Sequence, residues 1–227
     1  MMAPTARPGG SMRAILVGEA LGSFLLFACV VGSGVMAERL AGGNVAVALI
    51  GNVGAIAAML YVLIAMLGPI SGAHFNPAVT IVTRLRGEGT WASGAAMMAV
   101  QLVAGIAGVW CAHAMFDLPI LQFSGHVRDG AGQWLGEFIA TFGLLLTVLL
   151  TGRHRPEAVP ACVALYITAA CWFTSSTSFA NPTLTFARSL TDTFDGIAPA
   201  SVPAFVAAQL AGALCAHWVD RAMHPAP

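Results

Sequence analysis

Two short runs carry the residues whose types and spacing could do chemistry. One is Ser71-Gly72-Ala73-His74-Phe75-Asn76-Pro77-Ala78-Val79-Thr80; the other is Ser176-Thr177-Ser178-Phe179-Ala180-Asn181-Pro182-Thr183-Leu184-Thr185. The chemistry is hydrogen bonding and electrostatics, not bond making. An Asn side-chain oxygen accepts from the free N–H groups of a helix start, and Pro fits the first helical position because the N–H it lacks would be unpaired there. From Asn76-Pro77 and Asn181-Pro182 a helix could run only about ten residues, to Arg84-Leu85 and Ser189-Leu190, roughly half of what a bilayer needs. Two half-helices at matching places of an apolar chain point to a site of passage at the membrane midplane. Each N-terminus brings about half an elementary positive charge there, so the site turns back cations and protons and admits neutral solutes. Asn76 and Asn181 are expected to cap the half-helices with their oxygens and to offer their amide N–H groups to the permeant.

Two acids lie within apolar segments, Glu19 in Gly18-Glu19-Ala20-Leu21-Gly22 and Glu137 in Gly136-Glu137-Phe138-Ile139-Ala140. A carboxylate in a bilayer costs a few kcal/mol or more unless it is paired. Two readings follow. Each acid could accept hydrogen bonds from the re-entrant loop of its own half, or the two could relay protons in a proton-coupled secondary transporter. An intramembrane enzyme is disfavoured: His-x-x-x-His, paired Asp and Gly-x-Ser-x-Gly patterns are absent. The five cysteines all fall inside apolar segments without disulfide or metal-ligand spacing, as small packing residues do. Neither a metal nor a cofactor is implied.

The elements that must position these residues follow from composition. Of 227 residues, 58% are hydrophobic and only 9% charged, and mean hydropathy is +0.81. That is far fewer charges than a soluble domain carries, so the chain is expected to be one all-α membrane domain. With no net charge and no basic run, nucleic acid is not an expected partner. Residues 1–12 read as a disordered tail. Six spans are expected near Arg13–Met36, Val45–Leu67, Trp91–Met115, Gln133–Thr151, Ala158–Ser175 and Ala200–Val219. The order of features repeats: Gly-Glu in the first and fourth spans, Asn-Pro after the second and fifth, Gln101-Leu102 and Gln209-Leu210 in the third and sixth. Two repeats, 13–116 and 132–221, result. Each holds three spans, an odd number, so the second is inserted upside down relative to the first. There is no lysine, and Arg7, Arg13, Arg84, Arg86, Arg153, Arg155 and Arg221 fall on one side against Arg39, Arg128 and Arg188 on the other. The positive-inside rule places both termini in the cytoplasm.

The doubled motif resembles that of the aquaporin (major intrinsic protein) family, over about Arg13 to Val219. The resemblance implies six transmembrane helices plus two re-entrant half-helices in an inverted repeat, one pore per subunit, and a homotetramer in the lipid bilayer. The function it implies is a passive channel for small neutral solutes: water, glycerol-like polyols and neutral metalloid acids such as arsenite, across a bacterial cytoplasmic membrane. The second motif departs from the family pattern, with Thr183 where alanine is usual. By counting from the motifs, the family's narrow filter falls on Ile56, Ala169, Ser178 and Leu184. The family's usual filter arginine is missing at Leu184, which makes a wide, weakly polar constriction the expectation. His74 is expected to line the pore on the cytoplasmic side. Glutamates like Glu19 and Glu137 anchor loops in the aquaporins. The run from Asn181 to Phe194 is similar to a bacterial branch some of whose members are associated with arsenic resistance. For Arg188 two placements stand open: facing an outer vestibule of the pore, or pairing with Asp192 or Asp195 to tie down the outer loop.

Overall fold

The computed structural model describes residues 10–224, and the expected tail therefore lies mostly outside the described residues. Its last two positions are structured. Ser11 caps the first helix, its Oγ accepting from the Ala14 N–H at 3.3 Å, and Met12 begins it.

Eight α-helices follow among the described residues: α1 Met12–Leu40, α2 Val45–Ser71, α3 Pro77–Leu85, α4 Trp91–Met115, α5 Ala131–His154, α6 Val159–Phe173, α7 Pro182–Arg188 and α8 Val202–Met223. A single 3₁₀ turn leads into each of α6 and α8. Six segments are long and apolar enough to cross a bilayer, and α3 and α7 are the two short ones. The expected spans are all present, most with ends displaced by up to four residues, and α5 and α8 run on to His154 and Met223. The first helix runs on to Leu40, because Ala37, Glu38 and Arg39 are good helix formers beyond the apolar window. The second continues through Pro69 to Ser71, and Gly72 ends it at φ 89°, a left-handed conformation that glycine adopts without strain. The second half-helix stops at Arg188, whose carbonyl is taken by the Ile197 N–H at 3.2 Å as the following loop folds back.

The packing repeats as the sequence does. Helices α1, α2 and α4 form one group, α5, α6 and α8 the other, and the two meet along α2 and α6. Each half-helix packs on the third span of its own repeat and on that of the other: α3 on α4 and α8, α7 on α8 and α4. Close approach within each group depends on glycine. A Cβ on Gly108 would strike the carbonyl oxygen of Phe24, and one on Gly212 that of Phe138. These contacts let α4 press on α1 and α8 on α5, as small residues do between helices in lipid. The outer surface is apolar: Val47, Ile50, Tyr61, Val62, Val103, Leu135, Leu165 and Trp218 are all exposed. Polar side chains are instead gathered inside, around the two half-helix starts. This inside-out distribution suits lipid as the surrounding solvent.

Candidate functional site

The half-helices meet head to head. Asn76 Oδ1 accepts from the Ala78 N–H at 2.9 Å; Asn181 Oδ1 accepts from the N–H groups of Thr183 at 3.1 Å and Leu184 at 3.3 Å. The side-chain amides then cross. Asn76 Nδ2 donates to the Ala180 carbonyl at 2.7 Å, and Asn181 Nδ2 donates to the Phe75 carbonyl at 2.8 Å. A carboxamide has two N–H donors, so this cross-link uses one and leaves one on each Asn for the space beside the junction. Thr183 strengthens the second cap, its hydroxyl donating to Asn181 Oδ1 at 2.9 Å.

Below each junction sits one of the buried acids, both fully inaccessible. Glu19 Oε1 accepts from Ser71 Oγ at 2.8 Å and the His74 N–H at 2.9 Å; its Oε2 accepts from the Phe75 N–H at 2.8 Å and Gln101 Nε2 at 2.7 Å. Glu137 Oε1 accepts from the Phe179 N–H at 2.8 Å, and its Oε2 from the Ala180 N–H at 2.9 Å and Gln209 Nε2 at 2.6 Å. The same glutamines donate to Thr80 and Thr185 Oγ1, at 3.2 and 2.7 Å, and these hydroxyls donate to the Asn76 and Asn181 carbonyls. Both oxygens of both acids are thus committed to loop donors. That is the anchoring geometry, and it lends nothing to a proton relay. The sequence reading used Gln101 and Gln209 only as markers of the repeat and gave neither them nor Thr80 and Thr185 a part in the site, although their matched places were a usable signal.

A continuous cavity of about 1530 Å³ passes the junction, walled by Asn76 and Asn181 together with residues of α2, α6 and both loops. The loop backbones are held in an unusual form. Ala73, Phe75, Thr177, Ser178 and Ala180 all take φ between 47° and 61°, a region costly for residues with a Cβ. The result is a row of free acceptors: among the described residues no donor reaches the carbonyls of Gly72, Ala73, His74, Thr177, Ser178 or Phe179, and all six residues line the cavity. Interior carbonyls are almost always paired, so these require donors from whatever occupies the cavity.

This architecture can be set beside known proteins. The family model for the major intrinsic proteins matches residues 9–173. Aquaglyceroporin AqpS of Rhizobium meliloti (strain 1021) is 54% identical over 200 residues, covering 88% of this chain and 85% of that one. The chain belongs to the major intrinsic protein family. Aquaglyceroporin-3 of Trypanosoma brucei brucei is 32% identical over 165 residues, 64% of this chain and 52% of the other. The X-ray structure of the aquaglyceroporin from Plasmodium falciparum aligns with a TM-score of 0.67 over 95% of this chain and 98% of that one, at 20% identity, which is a likeness of fold. The protein is accordingly a multi-pass membrane protein of a channel family.

As a major intrinsic protein it has several departures in the cavity wall. Ile56, Ser178 and Leu184 line the cavity as counted. Ala169 does not: it is exposed on the outer face of α6, whereas Ile167 and Cys171 face inward. At about 100° per residue a two-residue error turns a side chain to the opposite face, and Cys171 takes the inward place. Counting missed it because α6 ends at Phe173 and an irregular stretch separates it from Asn181. His74 lines the cavity, with Nδ1 3.0 Å from Thr80 Oγ1.

Both placements of Arg188 turn out to hold in part. It is buried, pairs with Asp195 and not Asp192, and still lines the cavity. Its Nη2 is 3.0 Å from Asp195 Oδ1, its Nε donates to the Asp195 carbonyl, and its Cζ lies 3.4 Å from the centroid of the Phe179 ring. Asp192 instead accepts from the Gly125 N–H at 2.9 Å. Asn52 was missed altogether; it lines the cavity and reaches Asp195 from α2.

Proposed function

We propose that this protein is a passive channel for water and glycerol-like polyols, with neutral metalloid acids such as arsenous acid also within its range. The observation that carries the reading is the row of six unpaired carbonyls beside two free Asn N–H groups. A neutral molecule with several hydroxyls can donate to the first and accept from the second, replacing its hydration at each step. A cation gains nothing comparable against the positive ends of α3 and α7. Asn76, Asn181, Pro77 and Pro182 form the junction in this reading. Ile56, Ser178 and Leu184, with Cys171 in place of Ala169, form the filter. Small and apolar side chains there favour solutes wider than water.

The arginine distribution supports a cytoplasmic-membrane orientation with both termini inside, so that Arg84 and Glu88 lie at the cytoplasmic mouth and Arg188 and Asp195 at the outer one. The homotetramer rests on family membership. The names of the aquaglyceroporin relatives favour polyols. Proteoliposomes shrunk in turn by sucrose, glycerol and urea test the function by light scattering, with arsenite uptake measured beside them. The expected result is shrinkage without recovery in sucrose and rapid re-swelling in glycerol, with no accompanying current. A steady proton or cation conductance scaling with protein would overturn the junction model.

A further inference from the structure

The outer half of the cavity contains a buried assembly that the channel reading does not require. Asp195 lies fourteen residues past Asn181, in the loop after α7, yet it is inserted between three elements. On one side its carboxylate and carbonyl take Nη2 and Nε of Arg188. On another, Asn52 Nδ2 of α2 approaches its Oδ2 at 3.2 Å; the same Nδ2 lies 3.0 Å from the Val30 carbonyl and 3.1 Å from Ser33 Oγ. The third side is Gly34 of α1, where an added Cβ would overlap Asp195 Oδ2. The absence of a side chain at position 34 makes the seat for this carboxylate. Arg128 completes the surroundings at the more exposed edge, donating to the Gly196 carbonyl at 2.9 Å with its Cζ 5.1 Å from the Phe179 ring. Burial beside Arg188 pushes the Arg128 guanidinium down to about 10, so it remains charged at neutral pH.

We propose that Asp195, seated on Gly34 and Asn52, is a specificity-determining residue that neutralises Arg188 in the cavity wall. Arg188 then presents hydrogen-bond donors as one member of an ion pair, and the outer wall carries only the single positive charge of Arg128, at its more exposed edge. Arg188 keeps Nη1, and Asn52 keeps Oδ1, without partners among the described residues, and both residues line the cavity. A donor and an acceptor on facing elements suit a solute whose hydroxyls both give and accept. The buried ion pair leaves little attraction for a small anion at Arg188, where it would otherwise lodge against the guanidinium and obstruct passage. The inference rests on the channel reading and names which neutral solutes the outer half is built for: hydroxylated ones.

The test is glycerol flux into proteoliposomes in about 0.1 M sodium nitrate against sodium gluconate, a salt level at which exposed charges are screened beyond roughly 10 Å. The parent is expected to be indifferent to the anion. Asp195→Asn leaves Arg188 uncompensated and is expected to slow in nitrate by about twofold or more, since the charge is buried and poorly screened. Gly34→Ala, which displaces the carboxylate without altering a charge, is expected to shift the same way by less. Arg188→Gln instead takes the ion-pair partner from the Asp195 carboxylate and leaves Arg128 as the neighbouring cation. Because burial pushes the Asp195 carboxyl up, that arm is run at about pH 8, where flux should fall in guanidinium chloride relative to choline chloride. Should Asp195→Asn fail to insert, Arg188→Gln still decides. Inserted variants as indifferent to ions as the parent overturn the inference and leave the channel reading intact. A parent that passes neither glycerol nor water removes both.

Discussion

Glu137 offers the most calculable perturbation. It accepts three hydrogen bonds, from the Phe179 and Ala180 N–H groups and from Gln209 Nε2. In Glu137→Gln a single oxygen remains. Placed where Oε2 stood, it still serves the Ala180 N–H and Gln209, and only the Phe179 N–H is left facing an NH₂ group. One unmet buried donor costs about 1–3 kcal/mol. In Glu137→Leu all three donors lose their acceptor, at about 3–9 kcal/mol in total. For a chain of this size each kcal/mol moves the midpoint by about 2–4 °C, so the expected losses in Tm are about 5 °C for Gln and about 20 °C for Leu. Thermal denaturation of the purified protein in detergent reads the first quantity, and glycerol flux at matched protein density reads the consequence. Glu137→Gln should retain much of the flux; Glu137→Leu should lose it or fail to insert. Equal stability of the two variants would refute the anchoring role. A Gln variant that is folded and inserted yet carries no flux, with parental uptake following a proton gradient, would revive the transporter.

Leu184→Arg, which restores the usual filter arginine of the family, should cut glycerol or arsenite flux far more than water flux, because a guanidinium narrows the constriction while still donating to single-file water. Equal passage of the larger solutes through variant and parent would remove Leu184 from the filter. A small thiol reagent should block flux through Cys171 and leave a Cys171→Ser variant unaffected, while Ala169→Cys in that background should restore no block; the opposite pattern would return Ala169 to the wall. At the other mouth Asp220 is buried against Arg86 and Arg153, the latter at 3.3 Å, with His224 Nδ1 at 3.3 Å. Asp220→Ala should cost about 3 kcal/mol, at the low end for a buried pair because both arginines are partly exposed; an unchanged midpoint would make the cluster ornamental.

What could be read in the sequence was written in local chemistry. Asn followed by Pro favours a helix start, its recurrence at matching places of an apolar chain makes that reading strong, and Asn76 and Asn181 cap their helices accordingly. The six spans follow from apolar length, and the inverted order follows from counting them. The acids were legible because a carboxylate in an apolar run must have a partner, although nothing local said that Gln101 and Gln209 would join them. Contacts between distant segments escaped. Asn52 and Asp195 are 143 residues apart and neither belongs to a repeated motif. Cys171 escaped because helix counting loses its phase across the turn at Thr174–Thr177, where no helix carries it. Arg188 was half legible: its angular place beside Leu184 followed from the helix, but the choice between Asp192 and Asp195 depended on how the loop closed.

The two repeats agree closely around the junction of the half-helices and differ toward the cavity mouths. Around the junction the correspondence is nearly complete: Asn76 with Asn181, Glu19 with Glu137, Gln101 with Gln209, Thr80 with Thr185. Two residues before each Asn it ends. His74 turns its Nδ1 to Thr80 of its own half-helix, while Phe179 turns an aromatic face to Arg188. In the proposed channel the junction calls for symmetry, because its barrier to cations comes from the two helix dipole ends of α3 and α7 opposed there. The mouths need none. Leu184 on α7, Cys171 on α6 and Asp195 in the loop after α7 all lie in the second repeat, and none of them bonds to Asn76 or Asn181 through its side chain. In the proposed channel, substitution there alters the width and hydrogen bonding of the cavity wall while the cross-linked Asn pair stays in place.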